Sequence, residues 1–267
     1  MAKIVVITGA STGLGETIGN HLSTKGFIVY GTSRKIEDQP KSFHTINMDV
    51  SSKESIDSAI GKVISKHGHI DVLINNAGLG IASPIETVSI SDVQKVFDTN
   101  ITGIIRTSQS VLPYMRERKS GLIINISSIA AETGLPYRGI YSATKAAMER
   151  ITEAMRIELF PFNVQVCTVQ PGGTKTDINK NRLKVSLPQG NPYKENFDRT
   201  YDLINESVTN GLEPNVFGKL IERIINSSKV KHCYRMGKPI ESFSVVLKKF
   251  LPSSWYENMV KNHYKIK

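Results

Sequence analysis

The stretch Lys3–Gly15, KIVVITGASTGLG, decides the fold because it joins a buried strand to a glycine-rich turn and a helix. Lys3–Thr8 is a short β-branched apolar run, typical of a strand buried in a parallel sheet. Apolar residues then recur at the spacing of one helix face: Leu14, Ile18 and Leu22. Gly26 is placed to cap that helix, and Phe27–Thr32 reads as a second strand. This unit of about 30 residues is the context that a dinucleotide site requires.

The three glycines of the turn have separate predicted tasks. Gly9 lets the chain turn sharply, Gly13 lets the backbone approach a pyrophosphate, and Gly15 lets the helix pack closely on the sheet. The phosphates would lie at the positive end of the helix. The spacing GxxxGxG differs from the GxGxxG of the common dinucleotide fingerprint, so the turn alone does not identify a function.

The alternation of strands and helices continues along the chain. Further strands are predicted at Ser42–Met48, Val72–Ile74, Gly121–Ser127 and Val164–Val169. Further helices are predicted at Ser51–His67, Ser91–Arg118 and Tyr141–Phe160, and Ser51 and Glu54 have the spacing of a capping box. The pattern predicts an α/β fold, a doubly wound parallel sheet with helices on both faces. Five positions should meet at the carboxyl ends of its strands, where ligands bind: Gly9, Asp49, Asn76, Ser128 and Pro171.

Tyr141 and Lys145 are spaced by one helical turn, in YSATK, which places them on one helix face. A free tyrosine has a pKa of about 10 and is a poor base at neutral pH. A unit charge about 4 Å away contributes roughly 4 kcal/mol at an effective dielectric near 20, enough to bring the phenol to ~7. The pair therefore predicts a tyrosine that exchanges protons at working pH. For an isolated YxxxK, the alternative is a packed tyrosine beside a solvated lysine.

Seven motifs occur in one order along the chain. They are Thr8–Gly15, Asp49-Val50, Asn75–Gly78, Asn100, Ser127-Ser128, Tyr141 with Lys145, and Pro171-Gly172 with Thr174 and Thr176. With this set the chain resembles the short-chain dehydrogenase/reductase family in its compact form, strongly over residues 3 to about 178 and loosely beyond. The C-terminal region is loosely similar to hydroxysteroid- and retinol-dehydrogenase-type members. The resemblance implies one Rossmann-type domain over residues 1–267, with a substrate lid at 177–215 and a C-terminal extension at 237–267.

The family resemblance implies an oxidoreductase that moves hydride between a nicotinamide cofactor and a carbonyl or secondary alcohol. Its catalytic residues would be Asn100, Ser128, Tyr141 and Lys145. Ser128 would hold the substrate oxygen in line with the phenol, and its spacing from Tyr141 favours it over Ser127. Asn100 would bend its helix and hold a water that relays protons to Lys145. A turn hydroxyl at Ser128, or a buried cap at Asn100, would look the same in sequence.

The same resemblance implies the cofactor-binding residues. They would be Gly9, Ser11, Thr12, Gly13, Leu14, Gly15, Ser33, Arg34, Asp49, Val50, Asn76, Ala77, Gly78, Tyr141, Lys145, Pro171, Gly172, Thr174 and Thr176. Asp49 would accept from the adenine amino group, with Val50 beside the ring. Three residues would line the adenosine ribose: Asn76, Ala77 and Gly78. Lys145 would hold the nicotinamide ribose, and Thr174 and Thr176 the carboxamide and diphosphate.

The end of the second strand bears on the choice of cofactor. An NAD site uses an acidic residue about 20 positions past the glycines to accept from the ribose 2′-hydroxyl. Here Arg34 stands 21 residues after Gly13, and no carboxylate follows until Glu37. A guanidinium suits a 2′-phosphate, so NADP(H) is predicted over NAD(H). The alternative is that Arg34 stacks on adenine or points into solvent, and Thr12 stands where many NADP-dependent members carry a second basic residue.

Composition narrows the remaining classes. The 267 residues carry a formal net charge of +10, so nucleic acid and anionic membrane surfaces have to be considered. Because the charges are dispersed except at the C-terminus, we expect a solvated basic face and no nucleic-acid partner. The apolar runs are short and the first strand starts almost at once, so we expect no transmembrane segment, no cleavable signal and a cytoplasmic location. Cys167, Cys233 and six scattered histidines predict neither a disulfide framework nor a metal site.

Substrate and assembly depend on the rest of the chain. Aromatic lid residues and the apolar tail Phe243–Leu247 favour a bulky, largely apolar carbonyl or secondary alcohol, steroid-, retinoid- or acyl-like, although basic lid residues could instead select an anionic group. Alanines on the Tyr141 helix favour helix pairing across a two-fold axis, hence a homodimer or homotetramer, unless they face the sheet of their own chain. A catalytically silent NADP(H)-binding redox sensor or interaction module is the alternative to an enzyme.

Overall fold

The computed structural model describes residues 2–36, 41–176 and 178–266, and for Lys180 its backbone only. Glu37, the first carboxylate after the second strand, lies outside the described residues. So do the two ends of the predicted domain, residues 1 and 267, and the first residue of the predicted lid.

The described strands are β1 (Ile4–Thr8), β2 (Ile28–Ser33), β3 (His44–Asn47), β4 (Val72–Asn75), β5 (Ile81–Ala82), β6 (Gly121–Ile126), β7 (Val164–Pro171), β8 (Leu183–Lys184) and β9 (Cys233–Met236). Seven of them form one parallel sheet in the order β3-β2-β1-β4-β6-β7-β9. The direction of winding reverses between β1 and β4, which creates a crevice at the carboxyl ends of the strands. This sheet confirms the predicted fold class. The edge strand β9 and the small β5–β8 pair were not predicted, because they are short and lack alternating or continuous apolar patterns.

The helices of the described chain are α1 (Gly13–Thr24), α2 (Lys53–His67), α3 (Ile90–Phe97), α4 (Gly103–Glu117), α5 (Gly139–Glu158), α6 (Ile178–Asn181), α7 (Lys194–Thr209), α8 (Asn215–Ile225), α9 (Pro239–Lys248) and α10 (Ser253–His263). One apolar cluster joins one face of the sheet to α1 and α8, through residues such as Ile18, Leu22, Phe217 and Ile221. A second cluster joins the other face to α2 and α4, through residues such as Ile56, Ile60, Val111 and Met115. Helices therefore cover both faces of the sheet.

Two local predictions need correction. The long helix predicted over Ser91–Arg118 is interrupted, because a turn of π-helix at Asp98–Thr102 separates α3 from α4. The cap of α2 is Ser52 and not Ser51, since the Ser52 hydroxyl accepts from the Ser55 amide at 3.1 Å. Ser51 instead donates its amide and its hydroxyl to the Asp49 carboxylate, at 2.9 and 2.6 Å.

Candidate active site

A cavity of about 1030 Å³ lies at the carboxyl ends of the strands and collects most of the predicted site. The predicted residues that line it are Gly9, Ser11, Thr12, Gly13, Leu14, Ser33, Arg34, Asp49, Val50, Asn76, Ala77, Gly78, Ser128, Tyr141, Lys145, Pro171, Gly172, Thr174 and Thr176. Gly15 and Asn100 lie behind its wall. Residues more than 160 positions apart in sequence therefore share one space, as the strand order requires.

The glycine turn is shaped to receive a diphosphate. Gly9 and Gly13 have φ of +67° and +62°, a left-handed conformation that favours glycine. A Cβ on Gly13 would come no closer than 3.5 Å to its nearest neighbour, Thr176, so the backbone there is open. Thr12 precedes α1 without capping it through its side chain, which leaves the amides of the first turn available. Open backbone at an uncapped helix N-terminus fits the diphosphate of a dinucleotide.

Asn76 and Gly15 hold that turn in place. The Asn76 amide group donates to the carbonyls of Thr8 and Gly9, both at 3.0 Å. The Thr8 hydroxyl in turn accepts from the amides of Asn76 and Ala77 at 3.0 and 2.9 Å. A Cβ on Gly15 would lie 2.5 Å from the Asn76 amide nitrogen, so only glycine fits there. Asn76 lines the cavity as predicted, but its amide nitrogen is engaged by the turn, and contact with a ribose stays a prediction.

The far end of the cavity carries the residues predicted for the adenosine half. Arg34 is exposed, lines the cavity and has no ion-pair partner within the described ranges. Burial acts to raise the pKa of Asp49, but hydrogen bonds from Ser51 and the charges of Arg34 and Arg106 outweigh it and lower that pKa. Sequence reasoning missed Lys41, whose ammonium donates to the Ser11 carbonyl at 2.9 Å. A second cation therefore stands at the glycine turn, although Thr12 itself is neutral.

Tyr141 and Lys145 lie on one face of α5, both at most 6% exposed. The Lys145 ammonium is 5.8 Å from the centre of the Tyr141 ring and donates to the Ile126 carbonyl of β6 at 2.8 Å. This bond fixes the ammonium beside the phenol at the carboxyl end of the sheet. The pairing predicted from the spacing is therefore present, and the packed-tyrosine, solvated-lysine alternative does not describe it.

The electrostatics of the Tyr141 phenol favour its ionised form. Burial alone would raise the pKa of Tyr141, but the charges of Lys145 and Arg138, a hydrogen bond from Ser128 and the charge of Arg182 together lower it below its usual value. For the Lys145 ammonium, burial is the largest effect and lowers the pKa, although the charges of Tyr141 and Glu149 act to raise it. The phenol is thereby moved toward the range in which it can both give and take a proton.

Ser128 is the serine that lies against the phenol. It precedes a short 3₁₀ turn at Ile129–Ala131, where its hydroxyl accepts from the Ala130 amide at 3.1 Å. The neighbouring Ser127 also lines the cavity, but its buried hydroxyl has no hydrogen-bond partner among the described residues. The geometry thus agrees with the preference for Ser128 over Ser127 as a contact of Tyr141.

Asn100 is fully buried in the π-helical turn. Its amide group donates to the Leu79 carbonyl at 3.0 Å and to the Thr144 hydroxyl at 3.1 Å, and its carbonyl accepts from the Leu79 amide at 2.7 Å. The side chain thus ties the helix break to the loop after β4 and to α5 beside Tyr141. Its predicted role in holding a relay water stays a prediction.

The loop after β7 is attached to the C-terminal extension. Thr174 donates to the Gly172 carbonyl at 3.0 Å. Glu241 of α9 accepts from the Gly173 amide at 3.0 Å and from the Lys238 amide at 2.8 Å. Sequence reasoning missed Glu241, although its position three residues after Lys238 is a capping-box spacing that could have drawn attention to it.

The other end of the cavity is walled by the second half of the chain. The apolar wall residues from α7, α9, α10 and the residue after α10 are Leu203, Ile204, Val208, Ile240, Val245, Tyr256, Met259, Val260 and Tyr264. Arg199 of α7 donates to the Lys265 carbonyl at 2.7 Å, which joins the lid to the end of the chain. Two arginines at this end, Arg138 and Arg182, were also missed as site residues. No short-range pattern marks these positions, because they belong to a wall whose members come from four elements.

Three further findings concern metal ligands, cysteine ionisation and membrane-spanning helices. No three His, Cys, Asp or Glu residues are grouped to hold a metal ion in the described part of the chain. Burial raises the pKa of the Cys167 thiol to about 12. Within the described ranges, every helix is too short or too polar to cross a bilayer.

This fold and site match a known class of protein. The family model described as short chain dehydrogenase matches residues 3–185, and the chain belongs to this family. It is therefore an oxidoreductase that acts on CH–OH or carbonyl groups with a nicotinamide cofactor, which confirms the resemblance found in the sequence.

Particular relatives resemble the chain over much of its length. It is 36% identical over 266 residues to the 3-ketodihydrosphingosine reductase of Bacteroides thetaiotaomicron, which covers 99% of both chains. It is 34% identical over 207 residues to the NADPH-dependent 3-dehydrocapnine reductase of Ornithobacterium rhinotracheale, which covers 72% of this chain and 71% of the relative. The crystal structure of a short-chain dehydrogenase from Streptomyces avermitilis superposes with a TM-score of 0.81, at 28% identity and 98% coverage of both chains.

Proposed function

We propose that this protein is an NADP(H)-dependent oxidoreductase for a long, largely apolar ketone or secondary alcohol, with Tyr141 as the acid and base. One observation carries the proposal: the buried phenol, with its lowered pKa, stands between Ser128 and Lys145 in a cavity whose outer walls are apolar. A buried tyrosine shifted toward neutrality in a cleft has the properties of a proton-transfer group.

Each residue around Tyr141 has one task in this mechanism. In reduction, the phenol gives its proton to the substrate carbonyl oxygen, and in oxidation the phenolate removes the proton of the hydroxyl. The Ser128 hydroxyl donates to the same oxygen and holds it in line. Lys145 stabilises the phenolate and binds the ribose next to the nicotinamide. Asn100 positions the Leu79 loop and Thr144, and in our proposal holds the water that resupplies protons to Lys145.

The proposed cofactor contacts follow from the shape of the glycine turn, which suits a diphosphate. When bound, the nicotinamide supplies or accepts the hydride, and the protein supplies position and charge. The amides at the start of α1 hold the diphosphate, Thr174 and Thr176 hold its nicotinamide side, and Asp49 with Val50 holds adenine. Arg34 would bind the 2′-phosphate, because a planar guanidinium suits phosphate and Arg34 is exposed where it lines the cavity. The NADPH-dependent relative supports the same choice.

The substrate class follows from the cavity walls. Three helices contribute aliphatic and aromatic side chains to the end beyond Tyr141, which suits an alkyl chain better than a sugar. Two relatives act, by their names, on 3-ketodihydrosphingosine and 3-dehydrocapnine. We therefore place a 3-keto or 3-hydroxy carbon of a long-chain amphiphile at Tyr141. In this reading residues 177–215 act as the lid of a single domain, and residues 237–267 complete its wall.

Assembly and location complete the proposal. Ala143 and Ala154 of α5 are exposed and Ile157 is 77% exposed, so this face of the helix does not pack on its own sheet. We propose that it pairs with a second copy, as a homodimer or within a homotetramer, in the cytoplasm. Light scattering that reports a monomer at micromolar concentration would refute the pairing.

The test of the function is a panel measured with both cofactors. We expect turnover of a long-chain 3-ketone, and preference for NADPH over NADH. The rate kcat/KM for alcohol oxidation should rise with pH until the Tyr141 phenol is ionised, at a pH below its ordinary pKa near 10. Reduction should show the opposite slope, since it needs the protonated phenol. Activity confined to small polar sugars would contradict the substrate class.

A further inference from the structure

Two arginines line the substrate end of the cavity, near Tyr141. Arg138 immediately precedes α5, and its guanidinium carbon lies 4.7 Å from the centre of the Tyr141 ring. Arg182 comes from the lid, between α6 and β8, and is only 8% exposed. Both line the cavity, and both charges act on the Tyr141 phenol. The Tyr141 phenol therefore lies within reach of the charges of two guanidinium groups besides the Lys145 ammonium.

Arg182 is held rigidly but is not neutralised. Its guanidinium donates to the side-chain amide oxygen of Asn205 at 3.2 Å, forms a hydrogen bond with Tyr201, and lies 5.6 Å from the centre of the Tyr201 ring. Its stem packs on Gly80, where a Cβ would come within 3.4 Å of it. Within the described ranges, neither Arg182 nor Arg138 forms an ion pair with a carboxylate.

The carboxylates that line the cavity are engaged elsewhere. Asp98 pairs with Arg106 at 2.8 Å, Asp49 accepts from the amide and the hydroxyl of Ser51, and Glu241 accepts from the Gly173 and Lys238 amides. A buried guanidinium without a counter-charge is costly, and a second cation nearby adds to the cost. Burial lowers the pKa of Arg182, and the charge of Arg138 lowers it further. An anion between the two groups would relieve both effects.

We propose that Arg138 and Arg182 form a subsite for an anionic headgroup, a phosphate, sulfonate or carboxylate, carried by the substrate close to the reacting carbonyl. The inference rests on the proposed function, because it assigns the head of the amphiphile whose alkyl chain follows the walls of α7, α9 and α10. Guanidinium forks bind such oxyanions in pairs of parallel hydrogen bonds. Because Arg138 lies over the Tyr141 ring, the anion would lie close to the reacting carbonyl.

The first test measures binding and needs no turnover. Octyl phosphate, octanesulfonate, octanoate and neutral octanol are titrated by calorimetry into the NADPH-saturated protein. We expect at least one anionic compound to bind at least tenfold more tightly than octanol. R182Q and R138Q should each lose about tenfold for that anion and change little for octanol, while R182K should keep part of the affinity. Equal affinity for anions and octanol, or variants that leave the preference unchanged, would overturn the subsite.

A matched control and a second readout separate this role from tuning of the tyrosine. Lys184 lies on the same lid, 4.1 Å from the centre of the Tyr201 ring, but does not line the cavity, so K184Q should change anion affinity less than twofold. In turnover of 3-hydroxydodecanoate and its methyl ester, R182Q should raise KM for the acid alone. Equal losses of kcat/KM on both compounds, with a displaced pH profile, would mean that the arginines act only on the pKa of Tyr141. Anion binding without turnover of any ketone would keep the subsite and refute the proposed function.

A second inference comes from an independent feature, the outer surface of α9 and α10. Large apolar side chains are exposed to solvent there within a stretch of some twenty residues. We call them the α9–α10 patch: Ile240 (74% exposed), Phe243 (61%), Val246 (45%), Phe250 (80%), Trp255 (67%) and Met259 (43%). Exposed apolar surface on this scale marks a contact surface. Residues 238–265 carry five lysines and two glutamates, so the patch is framed by positive charge.

The patch adjoins the catalytic cavity. Ile240 and Met259 belong to both, since each is exposed outside and lines the cavity inside. We infer that the α9–α10 patch docks on an anionic phospholipid surface, with its aromatic rings at the headgroup level and its lysines toward the lipid phosphates. Aromatic and basic residues are the usual combination at such interfaces. A long-chain substrate would then pass between bilayer and cavity without crossing water.

Trp255, the single tryptophan of the chain, reports on this directly. Its emission should shift to the blue with vesicles of phosphatidylcholine and phosphatidylglycerol, and much less with phosphatidylcholine alone. F250S should weaken vesicle binding at least fivefold. F160S is the control, because Phe160 is 82% exposed just before the amino end of β7, whereas α9 contacts the loop after its carboxyl end. No shift with anionic vesicles would refute docking, and a concentration-dependent shift without lipid would assign the patch to a second copy of the chain.

Discussion

Residues 3–176 and residues 178–266 build the two ends of one cavity by different means. In the first region, positions are fixed by close approach and by charge: Gly15 fits only because it lacks a Cβ, and Lys145 is held at 2.8 Å from a strand carbonyl. In the second region, α7, α9 and α10 supply a wall in which shape and polarity matter more than any single atom. The comparison suggests that the first region sets the chemistry and the cofactor, and the second sets the substrate.

The largest expected effect is that of Y141F. An active Y141F enzyme would contradict the assignment of the chemistry to the first region. The phenyl ring fills the same space but transfers no proton, so kcat should fall at least about a hundredfold on every substrate. Binding of NADPH, followed by fluorescence titration, should stay within about twofold, since no other group is lost. Retention of more than a tenth of kcat would remove Tyr141 as the acid and base.

K145M is the companion variant, because Lys145 serves two tasks. It should lose turnover as Y141F does, and should also weaken NADPH binding through the lost ribose contact. If K145M binds NADPH as tightly as wild type, Lys145 acts on the phenol alone.

The next effect is smaller and concerns the cofactor. R34A should reduce the ratio of kcat/KM for NADPH to that for NADH by about ten- to a hundredfold, because a charge-assisted hydrogen bond contributes roughly 1.5–3 kcal/mol. K41A is the informative comparison. The Lys41 ammonium binds the Ser11 carbonyl and Glu16, so its loss should weaken the binding of NADPH and NADH alike. A wild type that prefers NADH, or an unchanged ratio in R34A, would show that Arg34 does not read the phosphate.

The first region was largely predictable from sequence, and the reason is physical. A strand followed by Gly9, Gly13 and Gly15 is compatible with few turn conformations. The i, i+4 spacing of Tyr141 and Lys145 on a helix already determines that the two side chains are neighbours. At Asn100 the family resemblance implied a bend, but not its π-helical form, which depends on the hydrogen bonds that Asn100 makes to Leu79, distant in sequence.

The second region was predictable only in outline. The bounds of the lid and the extension stay predictions, and nothing in the sequence around Arg182 or Glu241 indicated which residues they contact. Arg182 reaches the site through the pairing of β8 with β5, and Glu241 through the packing of α9 on the β7 loop. Such contacts join residues that are 68 positions apart for Glu241 and Gly173, and farther apart for β5 and β8, without a local pattern, so only the folded chain brings them to the cavity.

A wall residue should change the choice of substrate without changing the chemistry. Leu203 of α7 is half-buried and lines the cavity, so L203W should narrow the apolar end. We expect KM for a long-chain ketone to rise roughly tenfold, about 1.4 kcal/mol, while kcat on a short ketone stays within about twofold. E206W is the control, because Glu206 is exposed on the same helix and does not line the cavity. Equal losses on long and short ketones would mean that the second region also sets the chemistry.

The smallest effect tests the joint between the two regions. Glu241 of the extension accepts from the Gly173 amide of the β7 loop with one carboxylate oxygen and from the Lys238 amide with the other. E241Q keeps one acceptor and loses the second, which should weaken the joint by about 1 kcal/mol and raise the dissociation constant for NADPH roughly fivefold. E257Q, on the exposed face of α10, should leave that constant unchanged. If E241Q binds NADPH as wild type does while KM for the ketone rises, the extension positions only the substrate, and the boundary between the regions lies at the β7 loop.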